Sequence, residues 1–235
     1  MLPVALAVGV AVMLLGGAGH AVFPAAEGRS TVAAPPIDRP PAVGTEPDTA
    51  ALRPVSYPPR GAGTFRGLPG DGARLGPSGT LLRFQVVVEN GIGNLEPATV
   101  AGVVEAVLGD RRGWTAEGAW SFQRVGEGQV PDFTVYVATP DTRDDLCGMG
   151  VDGYTSCRNG DNVVLNVARW AEGVPGYGAP LAQYREYMIN HEVGHRLGLD
   201  HELCPGAGRP APVMQQQTLG LQGCLPNSWP HPATG

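Results

Sequence analysis

The strongest constraint in this chain is eleven residues long: His191-Glu192-Val193-Gly194-His195-Arg196-Leu197-Gly198-Leu199-Asp200-His201. Three of the five histidines fall inside it. On a helix, His191 and His195 stand one turn apart on one face, so both imidazoles can reach a single metal ion. Glu192 projects beside them, where its carboxylate can accept a proton from a water. Gly198 permits a left-handed exit that a side chain would resist, and that exit brings His201 back as a third ligand. Three neutral nitrogens leave a fourth position open, the donor set of a catalytic rather than a structural zinc. From this chain's residue frequencies, five such positions match by chance with a probability on the order of 1 in 100,000. An exposed polar helix end is the ordinary reading of two histidines four apart, but it leaves Gly198 and His201 unexplained.

The segment resembles the metzincin clan of zinc peptidases, whose pattern is H-E-x-x-H-x-x-G-x-x-H followed by a methionine in a tight turn. Met214, in Arg209-Pro210-Ala211-Pro212-Val213-Met214, stands where that methionine is expected. The prolines and small residues favour a turn there on their own account. Several metzincin families carry a tyrosine two residues after the methionine, where this chain has Gln216. More narrowly, residues 61–230 resemble an uncharacterised metzincin-like family of secreted or membrane-tethered proteins from high-GC Gram-positive bacteria. That resemblance lies in Asp132-Phe133-Thr134-Val135, Ser156-Cys157-Arg158-Asn159-Gly160, the histidine motif and the 209–217 turn. It implies a fold and a zinc site and lends no substrate.

Composition narrows the remaining classes. All 16 basic residues are arginine, the formal net charge is −6, and no basic cluster exceeds the Arg111-Arg112 pair. A nucleic-acid footprint needs clustered positive charge, so no nucleic-acid partner is expected. Residues 2–19 carry no charge and are mostly Ala, Val and Leu, a run about long enough to cross a bilayer. Residues 1–23 therefore read as a transmembrane anchor or a signal segment, with Gly19-His20-Ala21 as the cleavage site in the second case. No basic residue precedes the run, which is abnormal for both, and a start codon further upstream would explain it. Proline and glycine make up about a third of residues 24–80, the composition of a disordered segment. Residues 24–60 are read as an extended tether and 61–235 as the folded domain. The expected location is the cell membrane, single-pass with the domain outside, or the extracellular medium.

Beyond residue 80 the pattern is α+β. Residues 82–89, 119–125 and 132–139 read as strands, and 97–109 as a helix with Pro97 at its first position and Gly109 at its end. Residues 154–158 and 162–167 read as a hairpin around Asn159-Gly160, the dipeptide of a type I′ turn. Helix 181–197 carries the motif, with Tyr184, Met188, His191 and His195 on one stripe. This order matches that of the metzincin upper subdomain, and the resemblance implies a metzincin-like zincin domain: a mixed twisted sheet, a backing helix and an active-site helix, after a hydrophobic segment and a disordered linker. In metzincins the antiparallel edge strand pairs with the substrate main chain. Here that edge is expected at Gly153, Tyr154, Thr155, Ser156 and Cys157. Four cysteines allow three disulfide connectivities, and in an exported chain the local pairs Cys147–Cys157 and Cys204–Cys224 are expected. Asp200 and Glu202 read as solvated charges, and Asp152, Asp161 and Asn162 as turn residues rather than calcium ligands.

The function expected from these residues is a zinc-dependent extracytoplasmic endopeptidase acting on a polypeptide substrate. One zinc is held by His191, His195 and His201 and activates a water, with Glu192 as general base. Two rivals remain open: a zinc amidase acting on cell-wall peptides, and a catalytically silent domain that binds a partner through its cleft. Nothing in the sequence sets the oligomeric state.

Overall fold

A computed structural model describes residues 54–232. The expectations for segment 1–23, and for the tether up to residue 53, fall outside the described residues. Among the described residues no helix is long and apolar enough to cross a membrane. The elements follow in the order β1 (Phe65–Arg66), β2 (Arg74–Leu75), β3 (Thr80–Glu89), α1 (Pro97–Gly109), β4 (Trp120–Arg124), β5 (Phe133–Ala138), α2 (Pro140–Cys147), β6 (Cys157–Asn159), β7 (Asn162–Asn166), α3 (Val167–Glu172) and α4 (Leu181–Arg196). The architecture is α+β, with one mixed sheet and four α-helices among the described residues. Strand order is β2-β4-β3-β5-β7-β6. The four inner strands run parallel, and β2 and β6 close the two ends antiparallel.

Side-chain alternation decides which way the sheet faces. Phe84, Val86 and Val88 of β3 stand opposite Phe133, Val135 and Val137 of β5, and the last two stand opposite Val163 and Leu165 of β7. This apolar face packs in one cluster with Val100, Val104 and Leu108 of α1 and with Tyr184, Met188 and Val193 of α4. Each such side chain contributes about 1.5–3 kcal/mol on full burial. The other face is smaller, with Ala138 and Val164 covered by Cys147 of α2. The motif helix is thus also a core helix, so the position of the histidines is set by the main hydrophobic core.

Several local expectations are corrected. In the hairpin Asn159 pairs with Asn162, so the loop is Gly160-Asp161 and not Asn159-Gly160. Of these two loop residues only Gly160 has positive φ, at 57°; a type I′ turn needs both, and one at the first position is the type II′ pattern. Strand β7 ends one residue early because the Asn166 side chain accepts from the Ala168 N–H at 2.9 Å and starts α3. Residues 54–60, expected in the tether, lie on the domain. Ser56 bridges Gly93, Tyr57 donates to Glu172, and Arg60 pairs with Asp145 at 2.6 Å.

One buried carboxylate joins three of these pieces. Glu89, at the end of β3, is fully buried and accepts from Thr139 N–H at 2.8 Å, the Thr139 hydroxyl at 2.9 Å, the Thr142 hydroxyl at 2.7 Å and Gly63 N–H at 2.9 Å. Those donors come from the start of α2 and from the segment before β1. They offset a desolvation penalty of several kcal/mol for an isolated buried charge. Glu89→Ala leaves two backbone N–H groups without an acceptor and is expected to cost about 2–4 kcal/mol. That corresponds to roughly 5–15 °C in melting temperature. An unchanged melting curve by circular dichroism would contradict this role.

Candidate metal centre

Helix α4 ends in a way that places the third histidine. Gly198 has φ 93°, its N–H donates to His195 O at 3.1 Å, and Leu199 N–H donates to Gly194 O at 3.0 Å. These two bonds form the Schellman exit, which needs a left-handed residue at Gly198 and turns the chain back toward the helix. His191, His195 and His201 are brought together, with one ligand atom from each lying within 4.8 Å of the others. Nε2 of His195 and Nε2 of His201 stand 3.0 Å apart. Nitrogens about 2.0–2.1 Å from a tetrahedral ion stand roughly 3.3 Å apart, so the donor set fits one metal ion.

The Nδ1 atoms fix which nitrogen is free. His191 Nδ1 lies 2.9 Å from the Val213 carbonyl, and His195 Nδ1 lies 2.8 Å from the Leu199 carbonyl. A carbonyl only accepts, so each Nδ1 carries the proton, and it is Nε2 that presents the lone pair in the neutral ring. Burial pushes His191 down to about 3, helped by the neighbouring imidazoles and opposed by the Val213 bond. Burial and the His195 imidazole also lower His201, against the Asp200 carboxylate. Both imidazoles are therefore in the neutral, ligating form. Burial pushes the Glu192 carboxyl up to about 8, against the Arg143 guanidinium. A dication beside it would draw that carboxyl back toward the ionised form.

Beneath the helix lies Met214. A bond from Gln215 N–H to Pro212 O at 3.0 Å closes a tight turn with Val213 and Met214 at its centre. Met214 is buried against Gly194, between His191 and His195 in the helix. A Cβ at Gly194 would fall on the Met214 sulfur and 2.9 Å from Cζ2 of Trp114. Tyr187, one turn before His191, holds the same turn from above. Its hydroxyl donates to the Gln215 carbonyl at 3.0 Å and accepts from Gln217 N–H at 2.8 Å.

A cleft of about 320 Å³ opens over the three histidines and Glu192. Its walls include Thr155 and Arg158 on one segment, Leu199 and Asp200 on another, and Gln216 and Thr218 on a third. The expected substrate edge is shorter than the sequence implied. Only Cys157 of the five residues lies in a strand, Thr155 and Ser156 line the cleft with it, and Gly153 and Tyr154 do not. The cause is a different set of bonds. Asn166 Nδ2 takes the Gly153 carbonyl at 3.0 Å, and residues 148–156 wrap around α2 instead of extending β6. Asp144 accepts from Gly153 N–H at 2.9 Å and Asp152 N–H at 3.1 Å, while buried Arg143 bridges Asp144 at 2.7 Å, Asp152 at 2.9 Å and the Thr155 hydroxyl at 3.0 Å. Both local disulfides, Cys147–Cys157 and Cys204–Cys224, are formed, as befits an oxidising compartment. Asp200 and Glu202 are exposed, Asp152 pairs with Arg143, and Asp161 pairs with Arg196 at 3.1 Å. Sequence reasoning missed Tyr187, Arg143 and the two carbonyl partners. Of these, only Tyr187 left a signal, its position four residues before His191.

The family described as "Protein of unknown function (DUF3152)" matches residues 52–232. The chain belongs to that family. No curated protein matches the chain, and no solved structure does.

The geometry yields two predictions. Gly194→Ala forces Met214 and Trp114 aside, at about 1–3 kcal/mol of stability, and displaces the turn whose Val213 carbonyl orients His191. Metal affinity, followed by Co(II) titration, is expected to fall roughly 10–100-fold; wild-type affinity in a folded variant would refute the coupling. The second concerns Asp144. Burial alone would raise its carboxyl, but the Gly153 and Asp152 amides and the Arg143 guanidinium outweigh it and hold it below the usual range. Its stabilisation is therefore present above the ordinary carboxylate pKa and is lost as pH falls through the lower folded value. Asp144→Asn should lower the melting temperature at pH 7 by about 3–8 °C. The gap to wild type should narrow below about pH 4; a gap that is constant with pH would refute the assignment.

Proposed function

We propose that this chain is a zinc-dependent extracytoplasmic endopeptidase of the metzincin type. One observation carries the reading. Glu192 is buried beside the three converging imidazoles, and its Oε2 has no hydrogen-bond partner among the described residues. Leaving a buried carboxylate oxygen unpaired costs about 1–3 kcal/mol or more, which a purely structural glutamate would not be kept for. Glu192 also lines the cleft over the three histidines, where a water can reach the residue.

His191, His195 and His201 would hold the ion through Nε2 of at least His191 and His195, the carbonyls of Val213 and Leu199 keeping their Nδ1 atoms protonated. Zinc, when bound there, supplies Lewis acidity, lowering the pKa of a water toward about 7 and polarising a carbonyl. Glu192 accepts the proton of the attacking water and delivers it to the departing amine, the double duty of a general base. The unpaired side of β6, with Thr155 and Ser156 beside it, would take the main chain of an extended peptide. The Met214 turn under Gly194 supports the metzincin assignment, and the two disulfides support a site outside the cytoplasm.

The test is elemental analysis of the purified full chain together with casein hydrolysis. One zinc per chain and chelator-sensitive cleavage are expected. His195→Ala should lose the zinc, whereas Glu192→Ala should keep it and lose about 100-fold or more of the activity. Digestion of cell-wall peptides but not of casein would make the enzyme an amidase. Zinc with no hydrolysis of either would make it a binding domain, and a chain without zinc would sink the proposal.

A further inference from the structure

Arg158 belongs to the Ser156-Cys157-Arg158-Asn159-Gly160 stretch and has no part in the chemistry above. It sits in the middle of β6, where alternation sends its neighbours one way and Arg158 the other. Cys157 is bonded to Cys147 of α2, and Asn159 Nδ2 donates to the Leu146 carbonyl of α2 at 3.0 Å. Arg158 turns instead toward α4, where its Nε–H donates to the His195 carbonyl at 3.1 Å. That bond fixes one edge of the planar guanidinium close to a proposed metal ligand. Both Nη groups are left without a partner among the described residues. The charged side chains that line the cleft are Glu192, Asp200 and Arg158, so Arg158 is the one cation among the described lining residues. Capping a helix carbonyl uses one of the five N–H groups of arginine, and the rest form the fork that fits a carboxylate. The rim nearby is apolar, with Met149, Leu199 and Leu219 lining the cleft and each substantially exposed.

We propose that Arg158 is a specificity-determining residue that receives a carboxylate of the peptide lying in the cleft, either an acidic side chain flanked by apolar residues or a free C-terminus. The proposal rests on the peptidase reading of the same cleft. Asp200 repels a carboxylate placed near it, so the preference belongs to one position along the peptide and not to acidic peptides in general.

Binding without turnover tests this, using the full chain with Glu192→Ala, loaded with zinc, at low salt. The probes are labelled, acetylated and amidated octapeptides of alanine and leucine in which one glutamate, or its isostere glutamine, is walked along the sequence. A further probe has neutral side chains and a free C-terminal carboxylate. At one position the glutamate peptide is expected to bind about five- to tenfold more tightly than its glutamine partner. That preference should vanish with Arg158→Gln and turn toward lysine with Arg158→Glu. A gain confined to the free C-terminus assigns the carboxylate to the chain end. Equal binding of glutamate and glutamine everywhere, with no gain from the free terminus, overturns the proposal. So does a preference that survives Arg158→Gln, which would put the carboxylate on the metal. Should Arg158→Gln fail to fold by circular dichroism, the glutamate–glutamine comparison is repeated on Glu192→Ala with and without zinc: a preference that persists without the metal supports the proposal, and one lost with it overturns it. Binding of no peptide also overturns the proposal, and casein cleavage by the unaltered chain then tells whether the peptidase reading falls with it.

Discussion

Between Gly194 and Met214 there is no room for a carbon atom, and that contact sets the distance between the motif helix and the turn beneath it. Glycine inside a helix costs about 1 kcal/mol relative to alanine. Burial of the Met214 side chain contributes about 1.5–3 kcal/mol in return. The ligand geometry hangs on this seam from both sides. Val213, next to Met214, orients His191 through its carbonyl, and Glu202 N–H, next to His201, donates to the Met214 carbonyl at 3.1 Å. Histidines from a helix and from a loop are thus referred to one backbone turn, which Tyr187 also grips.

The same helix serves the core and the cleft, which concentrates polar groups where solvent cannot reach them. His191, Glu192, Asn190 and Arg143 are all nearly fully buried, and the last three each have one buried side-chain atom without a hydrogen-bond partner among the described residues. The apolar sheet face against α1 and α4 supplies the stability that lets such groups persist. Burial acts on the two titrating neighbours in opposite senses, raising the glutamate and lowering the histidine, so each tends to its neutral form. Neutral imidazole is ready to ligate. The carboxyl needs a nearby cation to ionise, so an ion held by the three histidines would set its charge state.

What the sequence made legible follows from how much of each element is local. Helix α1 was read to both ends because Pro97, the valine spacing and Gly109 all speak within thirteen residues. The three histidines were found because one helical turn and one left-handed exit determine their convergence. Helix α2 left no such trace. Half of its eight residues are charged, and it is held by Glu89, fifty residues away in the chain from Thr139. Strand β2 is two residues in a glycine-rich stretch, legible only through its pairing with β4. The segment before Cys157 read as a strand from its residues, but Asn166 and Asp144 had prior claim on its backbone. Nonlocal side-chain bonds decided each of these cases, and periodicity does not report them.

After α4 the chain reaches residue 232 with no α-helix or named strand, only a 3-10 turn at Gln217–Leu219, yet this stretch carries His201 and Met214. Its order comes from side chains. Gln217, buried, donates to the carbonyls of Pro212 and Asn227 and accepts from Tyr177 and the Asn227 N–H. Asn227 in turn donates to the carbonyls of Ala211 and Trp229. Ser228 ties the segment to α4 by accepting from Asn190 at its carbonyl and donating to the Gln183 carbonyl. The Cys204–Cys224 link closes the loop that contains Met214, and for a sequence separation of 20 the chain-entropy relation gives roughly 3 kcal/mol. The helix histidines are therefore held by the hydrophobic core, and the loop histidine by a covalent and hydrogen-bonded frame. A site divided in this way joins at the turn, which is why the missing side chain at Gly194 and the carbonyl of Val213 matter to all three histidines.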